Sequence, residues 1–307
     1  MNTYWLKFKL RDGTEQYYNK CVSFSYVKEA FTPYTTLKAI VYGDDIPDDI
    51  TAVRLGVGGY NVHYGFVDSY KVTKRNGVTC GVAISRGFTA LLTENQLPPG
   101  MYSNITFNKL FDEYITFPDI EHENNTQNSY IYVKKGASMW DGIANLSYKI
   151  AGVHPYISGN NLVKISMPLN PKKIQCSKQQ VISIGTEIMT RRMVSKYNMA
   201  DIEGEYGTFS AESEKAIERG IIRQRHFDLD ERFLNNPDLA CQYRMMMSER
   251  DYKRYFITIL NYFGQDINDI LISDEFGSRR INAIRINGSK NGISVEMSMY
   301  DSFPPVE

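Results

Sequence analysis

Four histidines, four cysteines and several clustered carboxylates are the side chains here whose types could support catalysis or hold a metal. His63, His122, His154 and His226 stand alone, none at ligand spacing from another histidine or a cysteine, and there is no H-E-x-x-H. His63 lies between Val62 and Tyr64 in a strand-like run and is expected on a strand face. His154 precedes Pro155 and is expected in a turn, and His122 in a polar loop. Cys21, Cys80, Cys176 and Cys241 form no C-x-x-C, so neither a zinc knuckle nor a disulfide framework is indicated. They are expected to be free, mostly buried thiols of a chain folded in a reducing cytoplasm. No serine sits in G-x-S-x-G. Gly56-Val57-Gly58-Gly59 is followed by neither a helix nor Lys-Ser/Thr, so it is no phosphate cradle. Asp44-Asp45-Ile46-Pro47-Asp48-Asp49 lacks the Gly and Glu spacing of a calcium loop and reads as a solvated turn. Glu203 and Glu205 flank Gly204 as at a hairpin tip rather than as a glycosidase pair. Arg191-Arg192 and Arg279-Arg280 are dibasic pairs without the interleaved aromatics of a nucleic-acid surface. Asn104-Ile105-Thr106 matches a glycosylation sequon, which carries no weight in a bacterial cytoplasm. No catalytic, cofactor-binding or metal site is assigned, and the expectation is a protein that is not an enzyme.

The composition points the same way. The chain has 307 residues, enough for two or three domains. Lys+Arg and Asp+Glu both number 35, so the formal net charge is zero. That balance disfavours binding by phosphate neutralisation, so no nucleic-acid recognition is expected. It also removes the self-repulsion that keeps monomers apart. Tyrosine dominates the aromatics, with 22 Tyr against 2 Trp, which suits strands and subunit contacts. Met1–Leu10 contains no long apolar core, and no apolar run approaches ~18 residues, so no membrane segment is expected.

The elements that would position these residues are mostly strands. Cys21–Val27, Thr36–Tyr42, Thr51–Val57 and the long stretch Tyr60–Lys74 read as extended chain. Asn76-Gly77 predicts a two-residue hairpin returning through Val78–Ser85. Short strands between turns suggest a first barrel over residues 1–100. Residues 101–168 change character. Thr106 is placed to cap a helix whose Phe107, Leu110, Phe111, Tyr114 and Ile115 form one stripe. Asp119–Asn128 reads as a polar loop. Ser138-Met139-Trp140-Asp141 reads as a capping-box start, and Gly152 as the stop. Tyr130–Val133, Pro155–Ile157 and Leu162–Ile165 add short strands, giving a small α/β domain.

Residues 169–307 return to strands at Val194–Ile202, Ile221–Phe227, Tyr255–Leu260, Ile267–Ile272, Ile281–Ile286 and Ile293–Met299. Ala211–Arg219 reads as a short helix. Asn236-Pro237 reads as the start of a longer one, with Leu239, Tyr243, Met246 and Met247 as its buried face. The fold class expected is therefore mainly β with an α/β insertion: two similar β-barrel domains separated by a small α/β domain. Similarity between the barrels rests on Asn76-Gly77 with the alternation after it and on Asn291-Gly292 with the alternation after it. A trimer of such a chain would place six similar barrels around one axis.

Tyr64-Gly65-Phe66-Val67-Asp68-Ser69 matches a "G-x-V-D-S"-like strand end. Ala90-Leu91-Leu92-Thr93-Glu94-Asn95 resembles an "A-L-L-x-D-N" helix, with Glu94 where Asp is common. Gly136-Ala137-Ser138-Met139-Trp140, His154-Pro155-Tyr156 and Ala216–Ile221 continue the likeness in order. In this order the stretches resemble the hub proteins of phage tail baseplates, the late-control family of contractile tails and related bacteriocins, and the motifs are structural rather than catalytic. The resemblance implies a homotrimeric, pseudo-sixfold ring that joins a tail tube or tube-initiator protein to a central spike. A tape-measure protein and the baseplate wedge are further partners it suggests. It also implies assembly in the bacterial cytoplasm and a place in the baseplate of a virion or tail-like particle. Phage, prophage, bacteriocin and injection-system hubs are alike in these respects. The competing expectations are a tail-associated cell-wall hydrolase and a host-surface or carbohydrate-binding module.

Overall fold

The computed structural model describes residues 3–18, 20–176, 180–229 and 238–301. The chain forms two compact units. One comprises Met1–Ser183 and Ile257–Met297, the other Ile184–Phe256 and the residues from Ser298 onward.

Seven strands come first: β1 (Tyr4–Lys9), β2 (Glu15–Tyr18), β3 (Cys21–Glu29), β4 (Thr36–Tyr42), β5 (Ala52–Val57), β6 (Tyr60–Arg75) and β7 (Val78–Gly87). In β3 and β4 burial alternates, so Phe24, Tyr26, Leu37, Ala39 and Val41 face the core while Ser23, Ser25 and Lys38 face out. That is the pattern of a sheet covered on one face. The β6–β7 turn has φ of 50° at Asn76 and 78° at Gly77, the double left-handed geometry that an Asn-Gly hairpin supplies at low cost.

The α/β insertion follows, with α1 (Leu91–Glu94), β8 (Gly100–Ile105), α2 (Phe107–Tyr114), β9 (Glu121–His122), β10 (Ser129–Val133), α3 (Met139–Ala151), β11 (Tyr156–Ser158) and β12 (Leu162–Lys164). Thr106 caps α2 by accepting a hydrogen bond from the Lys109 N–H. Ser138 and Asp141 close a reciprocal capping box on α3, and Gly152 ends that helix at φ 66°. Leu92, Leu97, Phe107, Phe111, Trp140, Ile143 and Leu146 share one buried core with strand residues Ile131, Ile157 and Val163. Each fully buried side chain of this size stabilises the fold by roughly 1.5–3 kcal/mol. The polar stretch Asp119–Asn128 is partly ordered into the sheet, because β9 pairs in parallel with β12.

The rest of the chain contributes β13 (Lys173–Gln175), β14 (Val181–Ile188), β15 (Lys196–Ala200), β16 (Tyr206–Glu212), α4 (Glu214–Glu218), β17 (Gln224–Phe227), α5 (Asp238–Glu249), β18 (Lys253–Leu260), β19 (Ile270–Ser273), β20 (Gly277–Arg280), β21 (Ala283–Ser289) and β22 (Gly292–Tyr300). The helix expected over Ala211–Arg219 is shorter, since residues up to Glu212 belong to β16, paired with β15. The expected start at Asn236-Pro237 lies outside the described residues. The buried face of α5 is also rotated from the expected one. Ala240, Cys241, Met245 and Ser248 are buried, while Leu239 and Met246 are exposed. Helix α5 lies on β15 and β16, and its small residues allow the close approach. All four cysteines are free, but only Cys241 is buried; Cys21, Cys80 and Cys176 are half-buried.

The fold is mainly β with an α/β insertion, as the sequence predicts. Its two β segments meet in one eleven-stranded sheet, ordered β14-β18-β22-β21-β3-β4-β7-β6-β5-β1-β2. The junction is β21 against β3, antiparallel from Ala283↔Glu29 to Ser289↔Ser23.

Within this order a four-strand unit occurs twice. The run β3-β4-β7-β6 and the run β14-β18-β22-β21 have the same spatial order: two strands, successive in the first run and separated in the chain by β15–β17 in the second, then the second strand of a hairpin, then its first. The registers agree as well. Val27↔Thr36 and Thr36↔Arg86 fix the first unit. Backbone bonds from Leu260 N to Gln180 O, from Asn261 N to Ile293 O and from Asp301 N to Lys253 O fix the second. Aligned this way, Thr36–Tyr42 corresponds to Arg254–Leu260, and since Tyr42 N donates to Lys20 O as Leu260 N does to Gln180 O, Val22 and Phe24 correspond to Ile182 and Ile184. Inward positions match inward ones: Ala39 and Val41 correspond to Ile257 and Ile259, all buried. The turns differ. The second hairpin turns at Lys290-Asn291, and Gly292 opens β22 at φ 125°.

Candidate assembly surface

The residues with chemical potential are dispersed. His63 is fully buried, as a strand-face histidine. Its Nδ1 meets Thr35 Oγ1 at 2.8 Å and its Nε2 meets Ser85 Oγ at 2.9 Å. Burial pushes its pKa down to about 3, so the ring is a neutral bridge between strands. His122 stacks on Phe111 with centroids 4.5 Å apart, and His154 packs near Phe31 and Trp140. His226 lies 3.3 Å from the Asn198 amide. Asp45 pairs with Lys20 at 3.1 Å, and that ammonium lowers its pKa. Glu203 and Glu205 do form a hairpin tip: both backbone N–H groups donate to Asp201 Oδ1 at 3.0 Å. Among the described residues no group of three or more His, Cys, Asp or Glu is placed to hold a metal ion.

What the sheet does present, among the described residues, is two long unpaired strand edges besides the short β2 end. Strand β14 ends the sheet order, so its outer edge has no partner among the described strands. It contains neither Pro nor Lys, and Ile182, Ile184 and Ile188 are 54%, 37% and 46% exposed. Soluble proteins normally blunt such an edge with charge, brevity or a bulge. The opposite end is blunted in that way, since β2 has four residues, and Glu15 in it binds Lys7 and Arg54.

The second edge is the distal half of β6. Residues from Tyr60 to Phe66 pair with β5, whereas those from Gly65 to Arg75 pair with β7. Beyond Val67 the outer side of β6 has no partner among the described strands. A bulge separates the two halves, with Asp68 the extra residue between Val67↔Ser85 and Ser69↔Ile84. The bulge aims Asp68 at Arg86, which donates two hydrogen bonds of 2.7 Å to its carboxylate and also meets Glu94 at 2.6 Å. Gly65 faces Gly87 across the ladder, and a Cβ on Gly65 would lie 2.0 Å from the Arg86 carbonyl oxygen. These contacts account physically for the tail-hub-like motifs: Gly65, Asp68 and Glu94 hold the point where β6 leaves β5.

The whole fold was compared with solved structures. It superposes on the tail protein of Neisseria meningitidis MC58 with a TM-score of 0.68 over 97% of this chain and 96% of that one, at 13% identity. The 43 kDa tail protein of prophage MuSo2 from Shewanella oneidensis gives 0.71 over 97% and 98%, at 15% identity. This chain has a phage-tail-protein fold. An Escherichia coli component of the type VI secretion system, c3393, described as structurally similar to bacteriophage T4 tail proteins gp27 and gp5, gives 0.56 at 8% identity, over 94% of this chain and 74% of that one. No protein-family model and no curated protein sequence matches the chain.

Reading the sequence missed β14 altogether, and with it one of the two edges. The signal was present in Val181–Ile188, where Ile182, Ile184 and Ile188 alternate with other residues. The distal half of β6 was read as strand, but nothing local tells that its outer side lacks a neighbour.

Proposed function

We propose that the chain is a non-enzymatic structural subunit of a phage tail or tail-like particle, acting as the baseplate hub. In this reading three copies form a pseudo-sixfold ring that joins the tail tube, or a tube-initiator protein, to a central spike. The observation that carries it is the repeated four-strand unit: three chains supply six equivalent units around one axis. The likeness of fold to proteins named as tail proteins supports the tail context. Residues 1–100 and 169–307 serve as the two ring-forming barrels, and residues 101–168 as the α/β part available to the wedge or tape-measure protein. The side chains weighed for catalysis are engaged in packing and hairpin turns, which supports a structural role. The test is electron microscopy of the purified chain and of assembled particles, with copy number counted. A ring of three with six-fold-like density in its inner sheet is expected. Monomers in particles, or six copies per particle, would overturn the reading.

A further inference from the structure

Strand β10 carries apolar side chains on both of its faces. Ile131 and Val133 point inward and belong to the buried core of the α/β insertion. Tyr130 and Tyr132 alternate with them and are 47% and 43% exposed. A strand covered on one face ordinarily turns polar residues to water on the other. Met101 of β8, directly opposite Tyr132 in the ladder, is 60% exposed. Beside these residues the ladder widens into a bulge. Ser103 and Asn104 together face Tyr130, between the pairs Ile131↔Tyr102 and Ser129↔Ile105. Asn104 has φ 53°, and both it and Ser103 are exposed. The bulge borders a hollow of about 410 Å³ lined by Met101, Ser103, Asn104, Asn128, Ser129 and Tyr130. Positive charge borders the same surface. Lys149 of α3 holds its ammonium 3.8 Å from the centre of the Tyr130 ring. Lys134 and Lys135 follow β10 directly and are exposed.

We propose that this outer face of the α/β insertion docks an acidic, partly apolar segment of another protein of the tail particle. The proposal rests on the tail-subunit reading above and specifies the chemistry of the partner that residues 101–168 receive. An apolar or aromatic side chain of the partner enters the hollow against Met101 and Tyr130, and neighbouring carboxylates meet Lys149 and Lys135. Three features select that occupant. Tyrosine and methionine are enriched in protein interfaces, and a methionine thioether adapts to the shape that enters. The amides of Asn104 and Asn128 and the hydroxyls of Ser103 and Ser129 offer donors and acceptors to a partner's main chain. The lysines attract carboxylates and repel a basic partner, so charge complementarity sets the sign of what binds. Tyrosine rings beside amides would also serve a glycan. The thioether and the lysines turn the choice to an acidic peptide segment.

The test places the photo-reactive residue p-benzoylphenylalanine at position 101 of the full-length chain and irradiates assembled particles. The expected result is an adduct with one other particle protein, mapped to a segment in which Asp or Glu neighbours apolar residues. Lys149→Glu and Lys135→Glu are each expected to cut that adduct at least tenfold, and Lys149→Arg to retain it. All three purified variants are expected to keep the wild-type melting temperature and oligomeric state. Reversing a carboxylate to Lys in the mapped segment is expected to restore the adduct of Lys149→Glu. In parallel the purified chain is tested for binding to peptidoglycan fragments and to lipopolysaccharide. Particles that contain the chain but give no adduct overturn the docking proposal and leave the tail reading in place. So does an adduct to another copy of the chain, or to a segment without carboxylates. Glycan binding that is lost on Tyr130→Ala and Tyr132→Ala overturns it in favour of a carbohydrate site. Absence of the chain from particles overturns both readings.

Discussion

Lys28 offers the sharpest test of how the first unit is held together. It lies on β3, points into the core, and its side chain is 4% exposed. Its ammonium is paired with Asp266 and donates to the Gly159 carbonyl at 2.8 Å. Asp266 also accepts from the Gly159 N–H at 2.7 Å, the Ile267 N–H at 2.8 Å and Ser158 Oγ at 3.2 Å. One ion pair thus ties the first β segment, the β11–β12 turn and the loop before β19. Asp266→Ala strands a buried ammonium with one acceptor, which should cost about 3–5 kcal/mol. Lys28→Met leaves a carboxylate that is 28% exposed and keeps three donors, so its cost should be smaller, about 2 kcal/mol. The asymmetry is the point. Urea unfolding followed by tryptophan fluorescence suits the measurement, because Trp5 and Trp140 both lie in this unit. With a slope near ~3 kcal/mol per molar urea, Asp266→Ala should lower the midpoint by about 1 M or more. Lys28→Met with Asp266→Asn should recover much of that loss. Equal costs for the two single variants, or a cost below ~1 kcal/mol for Asp266→Ala, would show that the ammonium is not desolvated and would refute the reasoning.

Three further outcomes are expected. The folded pKa of His63, about 3, lies below its ordinary 6.5, so the unfolded chain binds one more proton between those values. The stability this contributes is complete above about pH 6.5 and falls on acidification, by up to ~1.4 kcal/mol per pH unit, until pH approaches 3. His63→Gln should remove that slope, measured as the difference between the two proteins' denaturation curves across pH. Gly65→Ala places a methyl group against the Arg86 carbonyl and should cost on the order of 3 kcal/mol, whereas Thr73→Ala on the surface should stay within ~0.5 kcal/mol by the same urea assay. Ser138→Ala removes the hydroxyl half of the α3 capping box, keeps the backbone N–H bond to Asp141, and should cost about 1 kcal/mol, with faster amide exchange confined to the first turn of that helix.

What the sequence revealed was local, and what it concealed was long-range. Thr106, Ser138 and Gly152 mark helix ends because a cap uses residues within a turn of one another. Asn76-Gly77 marks its hairpin for the same reason. The start of Ala211–Arg219 has high helix propensity, yet Ala211 and Glu212 are strand, because pairing Lys196↔Glu212 and Tyr197↔Ala211 outweighs a preference of tenths of a kcal/mol. On α5 the large residues suggested the buried face, but close packing on β15 and β16 selected the small ones. The β14 edge of the assembly surface escaped notice because lacking a neighbour is a property of the sheet order, not of the strand's own residues. The duplication showed itself in one hairpin motif only. Its other three strands differ in sequence and agree in register, which no reading along the chain can detect.

The pairing of β3 with β21 also has a consequence for synthesis. A ribosome completes β3 early, but its partner emerges about 250 residues later, on the order of ten to fifty seconds at ~5–20 residues per second. During that interval the nascent chain displays an open edge equivalent in position to the one on β14, and a finished neighbour could occupy it wrongly. Lys28 stands near the C-terminal end of that edge strand, its ammonium without the Asp266 carboxylate until that residue too has been made. An inward charge is a recognised guard against edge-to-edge association. The same lysine that later locks the unit therefore keeps its first strand unattractive to strangers until the chain's own C-terminal hairpin arrives.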